Sequence, residues 1–232
     1  MTVRKTSAFA AERKKPKHGT LDFYPTPAWV TEALFENVIG KINTEHRWWL
    51  CWEPACGEGH MSEVLLKHFS GVYSTDVKNY GYEKMWLVSN FITEDPDKRD
   101  KDGWVSISRP DWIITNPPFN LVNEFILRAL DKATDGVAIF AKIQLLEGAT
   151  RWRQIYSKTP PNIIAPFASR VTLYEGEERD KGGQMAFAWY VWEKDGEDDK
   201  WNTEPPQIIW IPPRDKEDPR QKKMFDKKDA EK

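Results

Sequence analysis

Asn116, Pro117, Pro118 and Phe119 carry the clearest chemical signal in this chain of 232 residues. They follow the apolar segment 111–115, which is typical of a buried strand, and they precede a run typical of a helix. Proline restricts its own φ angle and the conformation of the residue before it, so Asn116 is expected to be a rigid hydrogen-bond acceptor. With an aromatic ring beside it, such an acceptor suits chemistry on a flat molecule that carries an NH2 group.

An amine conjugated to a ring is a poor nucleophile because its lone pair is delocalised. Two acceptors on its two N–H bonds, the Asn116 side-chain oxygen and the Pro117 carbonyl, favour a pyramidal nitrogen with a localised lone pair. Phe119 is expected to stack on the ring. Such a site positions the amine and stabilises developing charge, and it requires no strong general base. Taken alone, the same residues are equally compatible with a proline-rich turn after a strand.

A second candidate site is the glycine loop 53–59, which reads Glu-Pro-Ala-Cys-Gly-Glu-Gly. Asp76 follows Gly57 by 19 residues, at the end of the next predicted strand, where a carboxylate can bind ribose hydroxyls. The loop lacks the complete dinucleotide fingerprint and the P-loop lysine, so a ligand without phosphates is favoured over nicotinamide dinucleotides and ATP. S-adenosylmethionine fits, because its cationic end tolerates the carboxylate of Glu53. From spacing alone, a plain structural turn is an equal interpretation.

Alternating strands and helices are expected to position these motifs. The predicted strands are 48–52, 72–75, 86–88, 111–115, 137–141, 163–165, 171–174, 185–192 and 207–211. The predicted helices begin at Thr26 (as N-cap, with Pro27 in the first helical position), His60, Asn120 and Thr150. The pattern predicts an α/β, Rossmann-like fold: a mostly parallel central sheet with helices on both faces and an antiparallel C-terminal hairpin strand. The motifs all follow strands, at the sheet edge where ligands collect.

Taken together, the motifs resemble those of class I S-adenosylmethionine-dependent methyltransferases. The glycine loop is similar to their Asp/Glu-Pro-x-Cys-Gly-x-Gly motif, and residues 116–119 resemble the Asp/Asn-Pro-Pro-Tyr/Phe motif of adenine-N6 DNA methyltransferases. The closer resemblance, over residues 22–195, is to small phage and prophage DNA N6-adenine methyltransferase-like proteins. Further similar segments are 24–27, 59–61, 74–77, 80–81, 145–148 with Arg151, and 185–192.

The resemblance implies a class I methyltransferase fold, S-adenosyl-L-methionine as cofactor, and DNA whose target adenine is flipped out of the duplex. The implied catalytic residues are Asn116, Pro117, Pro118 and Phe119, and Phe119 is also an implied substrate contact. Lys142 and Arg151 are interpreted as substrate contacts, at DNA phosphates, or alternatively as solvated side chains. The implied cofactor-binding residues are Tyr24, Thr26, Pro27, Glu53, Pro54, Ala55, Cys56, Gly57, Gly59, Asp76, Val77, Asn90, Phe91 and Asn116. Asn90-Phe91 stands where relatives often carry Asp-Phe, so the acceptor expected there is the Asn90 side-chain oxygen.

Composition bounds the organisation of the chain. Hydrophobic residues make up 40%, enough for one domain over residues 21–213. A basic arm, 1–20, holds six Lys and Arg residues and one acid, and the charged tail 214–232 holds eight basic and six acidic residues. The whole chain carries -2, so the span 21–213 carries -9. The arm is interpreted either as a phosphate contact or as a solvated tail.

Targeting and metal signals are lacking in the sequence. No apolar stretch is long enough for a membrane span, and the N-terminus does not resemble a signal peptide. Cys51 and Cys56 are too few for a four-cysteine zinc site, so no metal is expected. These features favour a cytoplasmic protein, and the resemblance implies a bacterial or phage-infected cell.

Other functions remain open at this stage. The Asn-Pro-Pro-Phe/Tyr motif also occurs in RNA adenine-N6 and protein glutamine methyltransferases, which act on a planar conjugated NH2 group as well. A third hypothesis is a catalytically silent methyltransferase fold that serves as a binding module. Nothing in the sequence points to a homodimer or a protein partner.

Overall fold

The computed structural model describes residues 24–41, 49–94, 109–171, 173, 185–195 and 200–213. The predicted arm 1–20 and tail 214–232 lie outside these residues. The strands are β1 (Leu50–Glu53), β2 (Gly71–Asp76), β3 (Leu87–Val88), β4 (Trp112–Thr115), β5 (Gly136–Lys142), β6 (Ile163–Pro166), β7 (Phe187–Asp195), β8 (Lys200–Trp201) and β9 (Gln207–Ile208). The helices are α1 (Ala28–Asn37), α2 (His60–Leu65), α3 (Val122–Lys132) and α4 (Ala149–Arg151), which continues into a π-helical turn, Trp152–Tyr156.

The strands form one sheet in the order β3-β2-β1-β4-β5-β7-β6-β9, with β8 paired to β7. Strands β3, β2, β1, β4 and β5 are mutually parallel, whereas β7 runs antiparallel to both β5 and β6. The prediction of a mostly parallel α/β sheet with an antiparallel strand near the C-terminus is therefore confirmed. The strand predicted at 171–174 is wrong where the structure describes it, because Val171 and Leu173 belong to no strand. Strand β7 pairs instead with β5, β6 and β8.

Helix α1 begins one residue later than predicted. Pro27 occupies the N-cap position, and no side chain caps the first turn. The hydroxyl of Thr26, the predicted N-cap, accepts a hydrogen bond of 2.9 Å from the Asn116 side chain. The N-cap prediction is therefore wrong, because a distant partner takes the oxygen that a cap would offer to the helix.

The hydrophobic core occupies both faces of the sheet. Strand β7 shows why: Trp189 and Val191 pack on one face, while Tyr190 and Trp192 pack on the other, and all four are fully buried. A central strand covered on both sides needs a continuous apolar run rather than alternation, which is what the sequence has here. The indole N–H of Trp189 donates to the Val30 carbonyl of α1 at 2.9 Å, so the strand also fixes that helix.

Parallel strands end at the same edge of a sheet. The last residues of β1, β2, β4 and β5 are Glu53, Asp76, Thr115 and Lys142. The glycine loop, Asp76 and the 116–119 motif are thereby brought to one edge, as the sequence predicts. No helix in the part of the chain that the structure describes is long and apolar enough to cross a bilayer.

Candidate active site

A cavity of about 490 Å³ lies at this edge of the sheet. Its volume is in the range of small-molecule binding sites. The residues that line it are Tyr24, Pro25, Thr26, Glu53, Pro54, Ala55, Cys56, Gly57, Glu58, His60, Met61, Asp76, Val77, Tyr80, Ser89, Asn90, Phe91, Ile92, Asn116, Pro117, Pro118, Phe119, Asn120, Leu121 and Phe125. The two motifs identified in the sequence thus share one cavity.

The Asn116 side chain is held in one orientation. Its Nδ2 group donates to the Tyr24 carbonyl at 3.2 Å and to the Thr26 hydroxyl at 2.9 Å. A carbonyl only accepts hydrogen bonds, so the amide nitrogen must face Tyr24. Oδ1 is left buried without a partner among the described residues. A buried polar atom without a partner is costly, and here it is an acceptor that belongs to a residue of the cavity wall.

The Phe119 ring contacts both an aromatic ring and a cation. Its ring centroid is 5.2 Å from that of Tyr24, at an interplanar angle of 30°. The Lys142 ammonium lies 3.8 Å from the same centroid, within the range of a cation–π contact. Lys142 contacts Phe119 but does not itself line the cavity.

The glycine loop is tied to the end of β2 by backbone hydrogen bonds. The Gly57 N–H donates to Asp76 Oδ2 at 2.9 Å, and the Lys78 N–H donates to Oδ1 at 3.2 Å. The Cys56 N–H donates to the Thr75 carbonyl at 3.0 Å. Burial raises the pKa of Asp76, while hydrogen bonds from the backbone N–H groups of Gly57, Lys78 and Val77 oppose the rise. The carboxylate still has acceptor capacity for a ligand, because its two oxygens together offer about four lone-pair sites.

The local structure requires glycine at position 59. Its φ of 83° is a left-handed conformation, and a Cβ atom would lie 2.3 Å from the Tyr82 ring. Tyr82 therefore packs directly on the backbone where the loop enters α2. Gly59 does not line the cavity, and neither does Pro27. Their predicted cofactor contacts stay predictions.

Glu53 is only 2% exposed although it lines the cavity. The Ser62 hydroxyl donates to its carboxyl group, and Ser62 is in turn hydrogen-bonded to Ser74 at 2.6 Å. Burial, assisted by the nearby Asp76 charge and opposed by the Ser62 bond, raises the pKa of Glu53 to about 8. The carboxyl group is therefore largely protonated at neutral pH. Neither serine was predicted as a site residue, although Ser74 lies in the similar segment 74–77. Their signal in the sequence is only a polar residue within a predicted helix or strand.

Asn90 and Phe91 form part of the cavity wall. Asn90 Oδ1 accepts a hydrogen bond of 3.0 Å from the Ile92 N–H, so the predicted acceptor is already engaged in a local turn. Phe91 is 2% exposed and packs edge-on against Trp52, with centroids 4.8 Å apart. The remaining predicted residues, Pro54, Ala55 and Val77, line the cavity as well.

Arg151 lies away from the cavity. Its guanidinium donates to Asn123 Oδ1 at 2.8 Å, to the Leu145 carbonyl at 2.9 Å and to the Glu147 carbonyl. These bonds hold the turn after β5 against the start of α3. The predicted phosphate contact of Arg151 stays a prediction, since the side chain now has a structural role.

Comparison with known proteins gives information about the fold. No protein-family model and no curated protein matches the sequence. The M protein of the type I restriction enzyme EcoKI superposes with a TM-score of 0.56 at 10% identity, covering 84% of this chain and 50% of that one. A type I restriction-modification methyltransferase subunit from Streptococcus thermophilus gives 0.54 at 8% identity, covering 83% and 47%. A proposed RNA methyltransferase from Pyrococcus horikoshii gives 0.54 at 17%, covering 79% and 93%.

The chain has a Rossmann-like methyltransferase fold. It spans about half the length of the restriction-modification subunits that it matches, and most of the length of the Pyrococcus protein. At these identities the similarity extends to architecture only. The substrate has to be argued from the site itself.

Proposed function

We propose that this protein is an S-adenosylmethionine-dependent methyltransferase that acts on the N6 amine of adenine in DNA. The observation that carries the proposal is the Asn116 amide, whose nitrogen is anchored by Tyr24 and Thr26 while its buried oxygen has no partner among the described residues. An amine N–H is the group that such an acceptor needs.

Asn116 and Pro117 act on the amine by accepting hydrogen bonds from its two N–H groups. The Pro118 carbonyl is engaged already, because it accepts a hydrogen bond of 3.0 Å from the Leu121 N–H. The Pro117 carbonyl is the second acceptor that we propose. As the amine nitrogen becomes tetrahedral it gains positive charge, and two fixed oxygens stabilise that charge without reorganising. Phe119 offers an aromatic surface on which the base stacks.

The cavity residues fit S-adenosylmethionine. When bound, this cofactor supplies an electrophilic methyl group. Asp76 is held by two N–H groups and is suited to accept hydrogen bonds from ribose hydroxyls. Glu53 lies in the same cavity and is suited to a cationic amino-acid end, and Phe91 with Val77 is suited to a flat apolar base. Among the described residues no group of three or more His, Cys, Asp or Glu side chains could hold a metal ion.

DNA is proposed as the substrate on two grounds. The 116–119 motif and its surroundings resemble those of phage and prophage adenine-N6 DNA methyltransferases. The fold is also that of the EcoKI M protein, which belongs to a restriction enzyme. The Pyrococcus neighbour, described as acting on RNA, makes RNA the alternative that the experiment has to separate.

The test is methylation in a host that lacks adenine methylation. Wild type, Asn116→Ala and Asn37→Ala are expressed, and modified adenines are mapped by single-molecule sequencing. Asn37 is the matched control, because its side chain donates to the Ala33 carbonyl within α1. We expect N6-methyladenine with wild type and Asn37→Ala and none with Asn116→Ala. Genomic DNA free of the mark in every strain, alongside newly methylated RNA or protein glutamine, would refute the DNA assignment.

A further inference from the structure

The segment that follows β5 is fastened to the wall of the candidate site. Arg151 joins it to Asn123, only four residues beyond Phe119, with a hydrogen bond of 2.8 Å. Arg151 also donates to the Leu145 carbonyl at 2.9 Å. At the start of the segment, the Lys142 ammonium lies 3.8 Å from the Phe119 ring centroid. Both ends of the segment 142–151 therefore contact the chain around the catalytic motif.

The residues after Arg151 are also held in place, by hydrogen bonds and by burial of a side chain. The Tyr156 hydroxyl donates to the Leu145 carbonyl at 2.6 Å, and Ile155 is 1% exposed in the core. Between them the backbone forms a π-helical turn, Trp152–Tyr156, closed by a 2.9 Å bond from the Ser157 N–H to the Trp152 carbonyl. Single π-helical turns are rare and occur frequently at functional sites.

Trp152 projects from this rigid turn and is 60% exposed. An exposed indole ring on a hydrogen-bonded turn offers a surface on which a flat partner can stack. The side chain of Arg153 next to it is also exposed. We call these two residues the Trp152 surface.

The charge of the segment favours a polyanion. Residues 142–158 hold four basic residues and one acid, within a domain whose predicted span is strongly acidic overall. The basic residues are Lys142, Arg151, Arg153 and Lys158. A basic stretch with an exposed aromatic ring is the combination by which proteins bind nucleic acid strands: cations meet phosphates and the ring stacks on a base.

We propose that the Trp152 surface docks the DNA strand next to the target adenine, with the Trp152 indole stacked on a neighbouring base and Arg153 at a phosphate. This inference rests on the proposed function, because it requires DNA at the site. It adds a contact outside the cavity that helps to hold a strand whose target base is extruded, at a cost of a few kcal/mol for flipping.

The test is a binding measurement that does not depend on catalysis. Fluorescence anisotropy is recorded with a labelled adenine-containing DNA duplex and with RNA of the same sequence, in the presence of S-adenosylhomocysteine. Trp152→Leu should weaken DNA binding by about 5- to 150-fold, the range for loss of one stacked base, while Trp152→Phe should retain most of the affinity. Trp210→Leu is the matched control, since Trp210 is 65% exposed in the segment that follows β9. Arg153→Gln should lower the slope of log affinity against log salt by about one phosphate contact.

The outcomes separate the two proposals. DNA bound equally by wild type, Trp152→Leu and Trp210→Leu overturns the docking surface and leaves the proposed function intact. Wild type that binds the cofactor product but no DNA, or that prefers RNA, overturns the DNA substrate and with it this inference. Cofactor binding measured by calorimetry should be the same in all variants. A fall in both cofactor and DNA affinity for Trp152→Leu, with Trp152→Phe no better, would mean a structural role and would also overturn the proposal.

Discussion

Protonation of Glu53 should control how tightly the protein binds a cationic cofactor. The carboxyl group is 2% exposed, and burial raises its pKa to about 8. A bound sulfonium or ammonium group favours the ionised carboxylate, so binding should expel the proton. The affinity for S-adenosylmethionine is then coupled to pH through a group that lies inside the cavity.

The size of the effect follows from the pKa. With a pKa of about 8, Glu53 is about 90% protonated at pH 7, so about 0.9 proton should be released per cofactor bound. The apparent association constant should rise about tenfold between pH 7 and pH 9, which corresponds to about 1.4 kcal/mol. Above pH 9 the contribution of Glu53 should level off.

Isothermal titration calorimetry measures this release directly. Binding enthalpies at pH 7 are compared in buffers of different ionisation enthalpy, and the slope gives the protons exchanged. Glu53→Gln should remove the release of about 0.9 proton, and the difference between the two proteins cancels any titration of the cofactor itself. Glu193→Gln is the matched control: burial raises the pKa of Glu193 to about 7, but this residue pairs with Gly136 at the other end of β5. Equal proton release from wild type and Glu53→Gln would refute the reasoning.

Three further predictions concern stability and the orientation of Asn116. Both Glu53 and Glu193 have raised pKa values in the folded protein, so each carboxyl group ionises at lower pH in the unfolded state. The free energy of unfolding should therefore fall as pH rises, from about 4.5 to about 8 for Glu53 and from about 4.5 to about 7 for Glu193. The fall should be up to about 1.4 kcal/mol per group and pH unit. Urea denaturation at pH 5 and pH 8 should show this fall, and each single Gln variant should lose the share of the residue that it replaces. A variant that retained the whole fall would contradict the assignment of that residue. Gly59→Ala should cost about 1–2 kcal/mol for the left-handed backbone and about 1–3 kcal/mol for the clash with Tyr82. In a Tyr82→Ala background only the backbone cost should remain, so identical costs in both backgrounds would exclude the clash. Thr26→Val should lower kcat about tenfold, because it removes about one hydrogen bond to the Asn116 amide, whereas Thr26→Ser should restore the rate. Equal rates for the Val and Ser variants would exclude a role of the hydroxyl.

The sheet was predictable because its signals are local. Strands β4 and β5 are apolar runs, and the buried run of β7 is continuous because both of its faces are covered. Once the strands are parallel, Glu53, Asp76 and Asn116 must lie at one edge. The convergence of both motifs on one cavity is thus a consequence of topology, which needs no knowledge of side-chain contacts.

Side-chain partners far apart in sequence were not predictable. Arg151 has the pattern of an exposed phosphate contact, but its partner Asn123 is 28 residues away. Gly59 has the pattern of a loop that approaches a ligand, but the ring of Tyr82 takes that space. In both cases the sequence identifies a constrained residue, and only the tertiary structure shows which neighbour imposes the constraint.

Thr26 shows why the local sequence pattern and the tertiary contacts have to be considered together. A threonine before a proline and an apolar helical run is the pattern of an N-cap, and local energetics favour that role by about 1 kcal/mol. The fold instead directs its hydroxyl to the Asn116 amide, 90 residues away, and leaves α1 without a side-chain cap. The helix start loses the stabilisation of a side-chain cap, and the same hydroxyl instead holds the Asn116 amide nitrogen. The Asn116 oxygen is left without a partner among the described residues. A local rule that fails beside a buried unpaired acceptor is the pattern expected of a functional site. It is the physical reason for assigning the chemistry to Asn116.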